Sequence, residues 1–123
     1  MVHSLNTKVD FTIKGVSYLG LSSYGEIMIG DIAFEFYNNQ NKKDYIQIPW
    51  SEVDYIVASV LFKGKKIPRF ALITKKNGKF TFSSRNNKAL LRAVNHYVDT
   101  NKMVRSLSFF DVIKRGVKRL IHI

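Results

Sequence analysis

Short stretches in which apolar and polar residues alternate follow one another from Val9 to Phe82, and turn-forming residues separate them. This period-two alternation is typical of strands that bury only one face. Asn77-Gly78 is the strongest hairpin signal, because both residues tolerate positive φ, and Gly30-Asp31 marks a second tight turn. The pattern predicts about seven short antiparallel strands.

The spacing of apolar residues becomes helical after residue 84. Five of them recur with a helical period: Leu90, Leu91, Val94, Tyr97 and Val98. Ser84 is a candidate N-cap, so we expect a helix over residues 85–98. With 123 residues, of which 46% are apolar, the chain is long enough to bury one core. We expect an α+β fold dominated by β, namely a strongly bent antiparallel sandwich or a partly open barrel with a packing helix at one end.

The C-terminal residues separate into an apolar stripe and a basic stripe when they are wound at helical pitch. The apolar stripe contains Phe109, Phe110, Ile113, Val117, Leu120 and Ile121, and the basic residues are Lys114, Arg115, Lys118 and Arg119. These stripes predict a basic amphipathic helix over residues 106–121, in a segment 101–123 appended to a domain of residues 1–100. We expect this helix to dock outside its own fold. The alternative is that its apolar stripe folds back on the sheet and closes the core.

The net charge of +11 is divided unevenly along the chain. Residues 1–60 carry four Lys/Arg and seven Asp/Glu, a net charge of −3, whereas residues 61–123 carry sixteen and two, a net charge of +14. This asymmetry favours an anionic partner. Nucleic acid, lipid headgroups and an acidic protein surface all remain open.

The residue types that catalysis needs do not form a recognisable constellation. The chain has no cysteine, and its histidines lack the close spacing of metal ligands: His3, His96 and His122. Gly20–Gly25 has the two-glycine spacing of a phosphate loop, but Glu26 occupies the position of the phosphate-binding lysine. We therefore predict no catalytic residue, cofactor-binding residue or metal ligand, and we do not expect an enzyme.

Two groups of aromatic and basic residues have the composition of a platform for single-stranded nucleic acid. The first is Trp50 with Tyr45 and Tyr55, and the second is the stretch 63–66 with Phe62 and Phe70. The same aromatic residues lie where strand residues would point into a core, and we favour that interpretation. No helix-turn-helix or zinc-finger pattern adds support, so nucleic acid is not the expected partner.

The chain contains no candidate membrane-spanning helix. Its longest apolar run, residues 55–62, is far shorter than the roughly 20 residues that a helix needs to cross a bilayer. The first ten residues lack the charged-then-apolar order of a signal peptide. We therefore expect a cytoplasmic protein that is peripheral at the inner face of the cell membrane when its C-terminal helix is docked.

Three stretches, Tyr24–Asp31, Ile46–Tyr55 and Lys102–Gly116, carry a resemblance to the ManO-type family of small bacterial proteins of unknown function. The resemblance covers essentially the whole chain. Such families are encoded beside the membrane and cytoplasmic subunits of mannose-class sugar phosphotransferase systems. The resemblance therefore implies an accessory or regulatory role for that transporter, and it brings no established catalytic residues with it.

The order of the predicted elements is similar to that of GRAM and pleckstrin-homology domains. A strand with Pro49, a long strand, the Asn77-Gly78 hairpin and a terminal helix follow one another. This looser resemblance implies seven strands in a bent sandwich capped by the helix at residues 85–98. Many domains of this architecture bind lipid or peptide, which is consistent with a binding module and names no ligand.

Together these features predict a non-enzymatic accessory protein that docks on the membrane-embedded subunits of a mannose-class phosphotransferase transporter and modulates sugar uptake. The predicted docking residues are those of the two stripes at residues 109–121, and anionic lipid is the alternative docking surface. The main rival function is a nucleic-acid-binding regulator of the transporter operon, suggested by the basic second half. An enzyme acting on phosphosugars has no supporting motif.

Overall fold

A computed structural model describes residues 3–41, 43–61 and 65–107. These residues form eight strands and one α-helix in the following order. The elements are β1 Val9–Ser17, β2 Ser23–Gly30, β3 Ala33–Asn38, β4 Tyr45–Pro49, β5 Val53–Leu61, β6 Lys66–Thr74, β7 Lys79–Ser84, α1 Asn87–Asn95 and β8 Met103–Leu107. Short 3-10 helices at Trp50–Glu52 and Thr100–Lys102 precede β5 and β8.

The eight strands form one sheet in the order β4-β3-β2-β1-β7-β6-β5-β8. Neighbouring strands are antiparallel from β4 to β5. The pair β5 and β8 is parallel, with Ile56 opposite Met103 and Val60 opposite Leu107. The expected mostly-β fold with a packing helix is confirmed, and the expected order of seven antiparallel strands followed by a helix is the order observed.

The β6–β7 hairpin has the turn that Asn77-Gly78 predicts. Gly78 adopts φ +82°, a conformation that side chains rarely tolerate. Thr74 secures the turn from the last position of β6: its hydroxyl donates to the Gly78 carbonyl at 2.8 Å and accepts from the Asn77 amide at 3.0 Å. The hairpin prediction at Gly30-Asp31 is confirmed as well, because β2 and β3 pair across it.

A cluster of phenylalanines on the inner face of the sheet forms the centre of the core. Phe34 on β3 lies 6.1 Å from Phe70 on β6 and 4.7 Å from Phe82 on β7, measured between ring centroids. Phe36 is 6.0 Å from Phe82, and all four rings are at most 1% exposed. Strands β3 and β6 are separated by β2, β1 and β7 within the sheet. The sheet is therefore bent until its two halves face each other.

Helix α1 is shorter than predicted and begins later. Its N-cap is Asn86, whose side chain accepts from the Ala89 amide at 3.1 Å. Ser84 cannot serve as the N-cap, because it is the last residue of β7 and pairs with Gly15 of β1. Asn87 fixes the start of the helix to the sheet, since its side-chain amide donates to the Ile67 carbonyl at 2.6 Å. The predicted start at residue 85 is therefore wrong.

The segment after α1 extends the sheet before the described residues end. Ser106 and Leu107 were predicted as the start of a helix, but they belong to strand β8. The prediction of a helical start there is wrong, because the backbone of residues 103–107 pairs with the otherwise free edge of β5. Residues 108–123, which carry the rest of the predicted docking helix, lie outside the described residues.

A buried carboxylate attaches the N-terminal segment to the outer face of the sheet. Glu35 on β3 is 0% exposed. Its two oxygens accept from the Ser4 hydroxyl at 2.5 Å, the Leu5 amide at 2.7 Å, the Asn6 side chain at 3.1 Å and the Gln47 side chain at 3.2 Å. A buried charge with this many donors is stabilised without an ionic partner. Glu35 is therefore an anchor for residues 4–6.

Asp31 holds the next part of the N-terminal segment. Its carboxylate accepts from the Thr7 amide at 2.9 Å, the Lys8 amide at 3.1 Å and the Thr7 hydroxyl. These donors, the Thr7 hydroxyl above all, lower the pKa of Asp31 below its ordinary value of 3.8. The turn between β2 and β3 is thereby tied to the beginning of β1.

We expect Glu35→Gln to lower the free energy of unfolding by about 1–3 kcal/mol, because the new NH2 group would face donors instead of accepting from them. Urea denaturation at pH 7 measures the loss. Glu26→Gln is the matched control, since Glu26 is half-buried on β2 and accepts no side-chain hydrogen bond within the described residues. Equal losses in the two variants would contradict the anchoring role.

We expect the stability difference between the wild type and Asp31→Asn to depend on pH. Because the folded-state pKa of Asp31 is lowered, its carboxylate favours the folded state at pH values above the unfolded pKa of about 3.9. This advantage is lost as the pH falls through the lower folded-state pKa. Urea denaturation in steps from pH 7 to about pH 2.5 should show the difference disappearing at the acid end. A difference that stays constant over this range would rule out the effect.

Candidate docking groove

A groove of about 420 Å³ lies between α1 and the inner face of strands β5 and β8. Its lining comes from four elements that are distant in sequence. The lining residues are Ile56, Ala58 and Val60 on β5, Ile67 on β6, Lys88, Leu91, Arg92 and Asn95 on α1, and Met103, Val104 and Arg105 on β8. The groove exists only because β8 extends the sheet beyond the part that α1 covers.

The floor of the groove is apolar. Ile56, Ala58 and Val60 occupy alternate positions of β5, so their side chains all project to the inner face. Met103 lies opposite Ile56 in the neighbouring strand and continues this surface. The Leu91 side chain forms the wall on the α1 side. The floor therefore continues the core surface toward the edge of the sheet.

Three cations surround this apolar floor. Lys88 and Arg92 are four residues apart on α1, so they lie on the same side of the helix. Arg105 projects from the opposite side of the groove, because it pairs with Ala58 and shares its face of the sheet. No lining residue carries a carboxylate. The site is therefore apolar at its floor and positively charged at its rim.

The rim cations have no ionic partner within the described part of the chain. The one ion pair found among residues 3–41, 43–61 and 65–107 joins Lys8 to Asp10, at 3.8 Å. Uncompensated cations beside an apolar surface raise the local potential that an anionic partner experiences. The groove is thus suited to a partner that combines apolar and acidic groups.

The positive charge of Lys88 is electrostatically unfavourable at its position in α1. It lies in the first turn of α1, where the helix dipole favours a negative charge, and that turn contains no acidic residue. It also lies one turn from Arg92, a repulsive spacing for two like charges. A residue that conflicts with its local structure is a candidate for a binding role. This conflict was visible in the sequence, but the groove was not, because β8 was not predicted.

The docking residues predicted from the sequence lie outside the described residues. They are Phe109, Phe110, Ile113, Lys114, Arg115, Val117, Lys118, Arg119, Leu120 and Ile121. None of them therefore contributes to the geometry of the groove as described. Their proposed docking role stays a prediction. The cations of the groove, Lys88, Arg92 and Arg105, were not among the predicted site residues.

The aromatic residues considered for a nucleic-acid platform differ in their exposure, because Tyr45 and Tyr55 are 42% and 46% exposed whereas others are packed. Trp50 stacks on Tyr97 with ring centroids 5.7 Å apart, and its indole N–H donates to the Gly30 carbonyl at 2.8 Å. Tyr45 stacks instead on Tyr37, at 6.3 Å. Phe70 is a core residue that is 1% exposed. The interpretation of Trp50 and Phe70 as packing residues is confirmed.

Within the described ranges, no group of three or more His, Cys, Asp or Glu side chains is placed to hold a metal ion. The Gly20–Gly25 stretch forms the β1–β2 turn and the first residues of β2, and Glu26 lies within that strand. A phosphate loop there would have to lead into a helix. The sequence interpretation of this stretch as an ordinary turn is confirmed.

In the part of the chain that the structure describes, no helix has both the length and the apolar character needed to span a membrane.

The fold is that of a small mostly-β domain with a packing helix, and a groove lies between the helix and the edge of the sheet. The chain belongs to the DUF956 family, a domain of unknown function whose family model matches residues 1–117. No curated protein matches the sequence.

Two solved structures are similar to this fold. The C-terminal domain of an unknown protein from Leishmania infantum superimposes with a TM-score of 0.64 at 13% identity, over 73% of this chain and 83% of that one. The hSac2 domain of the human phosphoinositide phosphatase Sac2 gives a TM-score of 0.48 at 12% identity, over 82% and 77% of the two chains. At 13% identity, the similarity to the Leishmania infantum domain shows only that the two folds are alike.

We expect Lys88→Glu to raise the free energy of unfolding by about 0.5–1 kcal/mol, because a carboxylate suits the helix start and would attract Arg92 one turn later. Urea denaturation of the full chain measures the gain. Lys76→Glu, at the exposed β6–β7 turn, makes the same change in net charge away from α1. A stability loss in Lys88→Glu, or an equal gain in both variants, would refute the conflict that we assign to Lys88.

Proposed function

We propose that this protein is a non-enzymatic accessory protein that docks on the membrane-embedded subunits of a mannose-class sugar phosphotransferase transporter and modulates sugar uptake. It would act from the cytoplasm as a peripheral protein at the inner face of the membrane. The apolar groove with three uncompensated cations is the observation that carries a docking role. The transporter as partner is suggested by the resemblance to the ManO-type family.

The chemistry of the groove supports reversible docking. Each apolar side chain of a partner that is fully buried against the floor contributes about 1.5–3 kcal/mol before ordering costs. The rim cations add attraction for acidic side chains, and they favour the correct partner and a fast encounter more than they raise affinity. A regulatory protein that must associate with a transporter and leave it again needs this combination.

The C-terminal residues would add a second contact next to the groove. The described chain ends at Leu107, which is opposite Val60 and therefore at the end of β5 that contributes to the groove floor. The sequence that follows carries the predicted apolar and basic stripes. Near an anionic leaflet, each of its cations contributes about 1 kcal/mol.

The proposal predicts that the full chain co-purifies with the membrane subunits of the transporter from detergent-solubilised cells. We expect the triple variant Lys88→Glu, Arg92→Glu, Arg105→Glu to recover about tenfold less of these subunits, a difference near 1.4 kcal/mol. The matched control reverses the same number of charges on the β6–β7 hairpin: Lys75→Glu, Lys76→Glu and Lys79→Glu. Quantitative mass spectrometry of the purified material gives the recovery, and sugar uptake is measured in the same strains.

Two results would overturn this proposal. One is that the wild-type chain enriches no subunit of the transporter over the untagged strain. The other is that the hairpin variant loses as much recovery as the groove variant, because the interaction would then depend on overall charge and not on the groove. The tail is tested in parallel with Lys114→Glu, Arg115→Glu and Lys118→Glu, for which the predicted second contact requires a further loss.

A further inference from the structure

Strand β8 borders the groove with an unused edge. It is the terminal strand of the sheet, and among the described residues only β5 pairs with it. Val104 alternates to the outer face, opposite Val57, yet it also lines the groove. The lining therefore includes three consecutive residues of β8, the strand whose other edge is free among the described residues. Unpaired backbone groups on a sheet edge are a ready template for an added strand.

We propose that the groove binds an extended acidic and apolar segment of a partner protein, which pairs with β8 as an added strand between β8 and α1. This inference rests on the proposed docking function and specifies the chemistry of the partner. Main-chain hydrogen bonds to β8 supply affinity in this mode, and alternate side chains supply specificity. The inward-facing side chains of the added strand continue the apolar inner face beyond β8, on the side that faces the groove.

The spacing of the rim cations matches the repeat of a strand. Lys88 and Arg92 are four residues apart, which along a helix axis is a rise of about 6 Å. Two residues of a strand advance about 6.6 Å and project to the same face. The proposed segment therefore carries carboxylates two positions apart, a spacing close to that of Lys88 and Arg92 along α1. Arg105, on the β8 side, faces the same row of side chains.

Neither the C-terminal tail of this chain nor a second copy of the chain complements the charge of the groove. Residues 108–121 carry four Lys/Arg and one Asp, so they would bring more positive charge to a rim that is already positive. A second copy paired through β8 would bring its own Arg105 to the same surface. A partner segment with carboxylates at alternate positions complements the groove, and its apolar residues cover the floor.

The probe is a capped peptide, Ile-Thr-Glu-Thr-Glu-Thr-Ile, which places both glutamates and both isoleucines on one face of a strand. The control peptide, Ile-Thr-Thr-Glu-Glu-Thr-Ile, has the same composition and charge but places the glutamates on opposite faces. Each is titrated into the full-length protein while amide chemical shifts are recorded by NMR. We expect the probe to bind about fivefold to tenfold more tightly than the control and to shift the amides of 103–107 and 88–95.

Protein variants separate this site from general attraction to a basic protein. Arg92→Glu should remove most of the preference for the probe, whereas Lys76→Glu on the β6–β7 turn should retain it. Equal binding of the two peptides, or shifts that avoid β8, would overturn the proposal. A spin label at residue 113 that broadens the amides of 88–95 in the free protein would also overturn it, because the tail would then fill the groove.

The outcome is independent of the transporter experiment. If the protein prefers the probe peptide over the control peptide but recovers no transporter subunits, the groove chemistry is retained and the proposed partner is rejected. Recovery of the subunits without a preference between the peptides would retain the partner and reject strand addition at β8.

Discussion

Four phenylalanines packed against one another hold the two halves of the sheet together. Phe34 and Phe36 come from one half of the sheet, and Phe70 and Phe82 come from the other. Their contacts require the sheet to bend, because the strands that carry Phe34 and Phe70 are not neighbours within it. Helix α1 packs on the core that results, and the groove is the part of the inner face near β8 that α1 leaves open. The groove is therefore a consequence of how this core closes.

The sequence predicted the elements that local patterns determine. Alternation and the Asn77-Gly78 turn identified the hairpins, and apolar spacing identified α1 to within a few residues. It did not predict β8, because this strand has only five residues and pairs in parallel with β5, whose matching residue is 47 positions earlier at Ile56. Glu35 was missed for a similar reason. A glutamate in an alternating strand is expected in solvent, but Glu35 is buried and hydrogen-bonded to the distant residues Ser4, Leu5 and Asn6.

The cations of the groove connect the fold to a function better than any catalytic feature does. Lys88 lies at the helix start, where the dipole disfavours a positive charge, and Lys88, Arg92 and Arg105 surround an apolar floor with no acidic residue in the lining. Two of the aromatic side chains considered for a nucleic-acid platform are used in packing instead, since Trp50 stacks on Tyr97 and Phe70 is buried in the core. We therefore propose that the basic excess in the second half of the chain attracts an acidic protein partner.

Photo-crosslinking in living cells tests directly whether the groove contacts the transporter, because it reports which surface of the protein touches the partner. A photoreactive phenylalanine analogue is placed either at Asn95, which is exposed and lines the groove, or at Tyr24, which is 69% exposed on the outer face. If the groove binds the partner, position 95 forms adducts with an acidic segment of a transporter membrane subunit, and position 24 forms none. Adducts to that subunit from position 24 and none from position 95 would contradict binding in the groove.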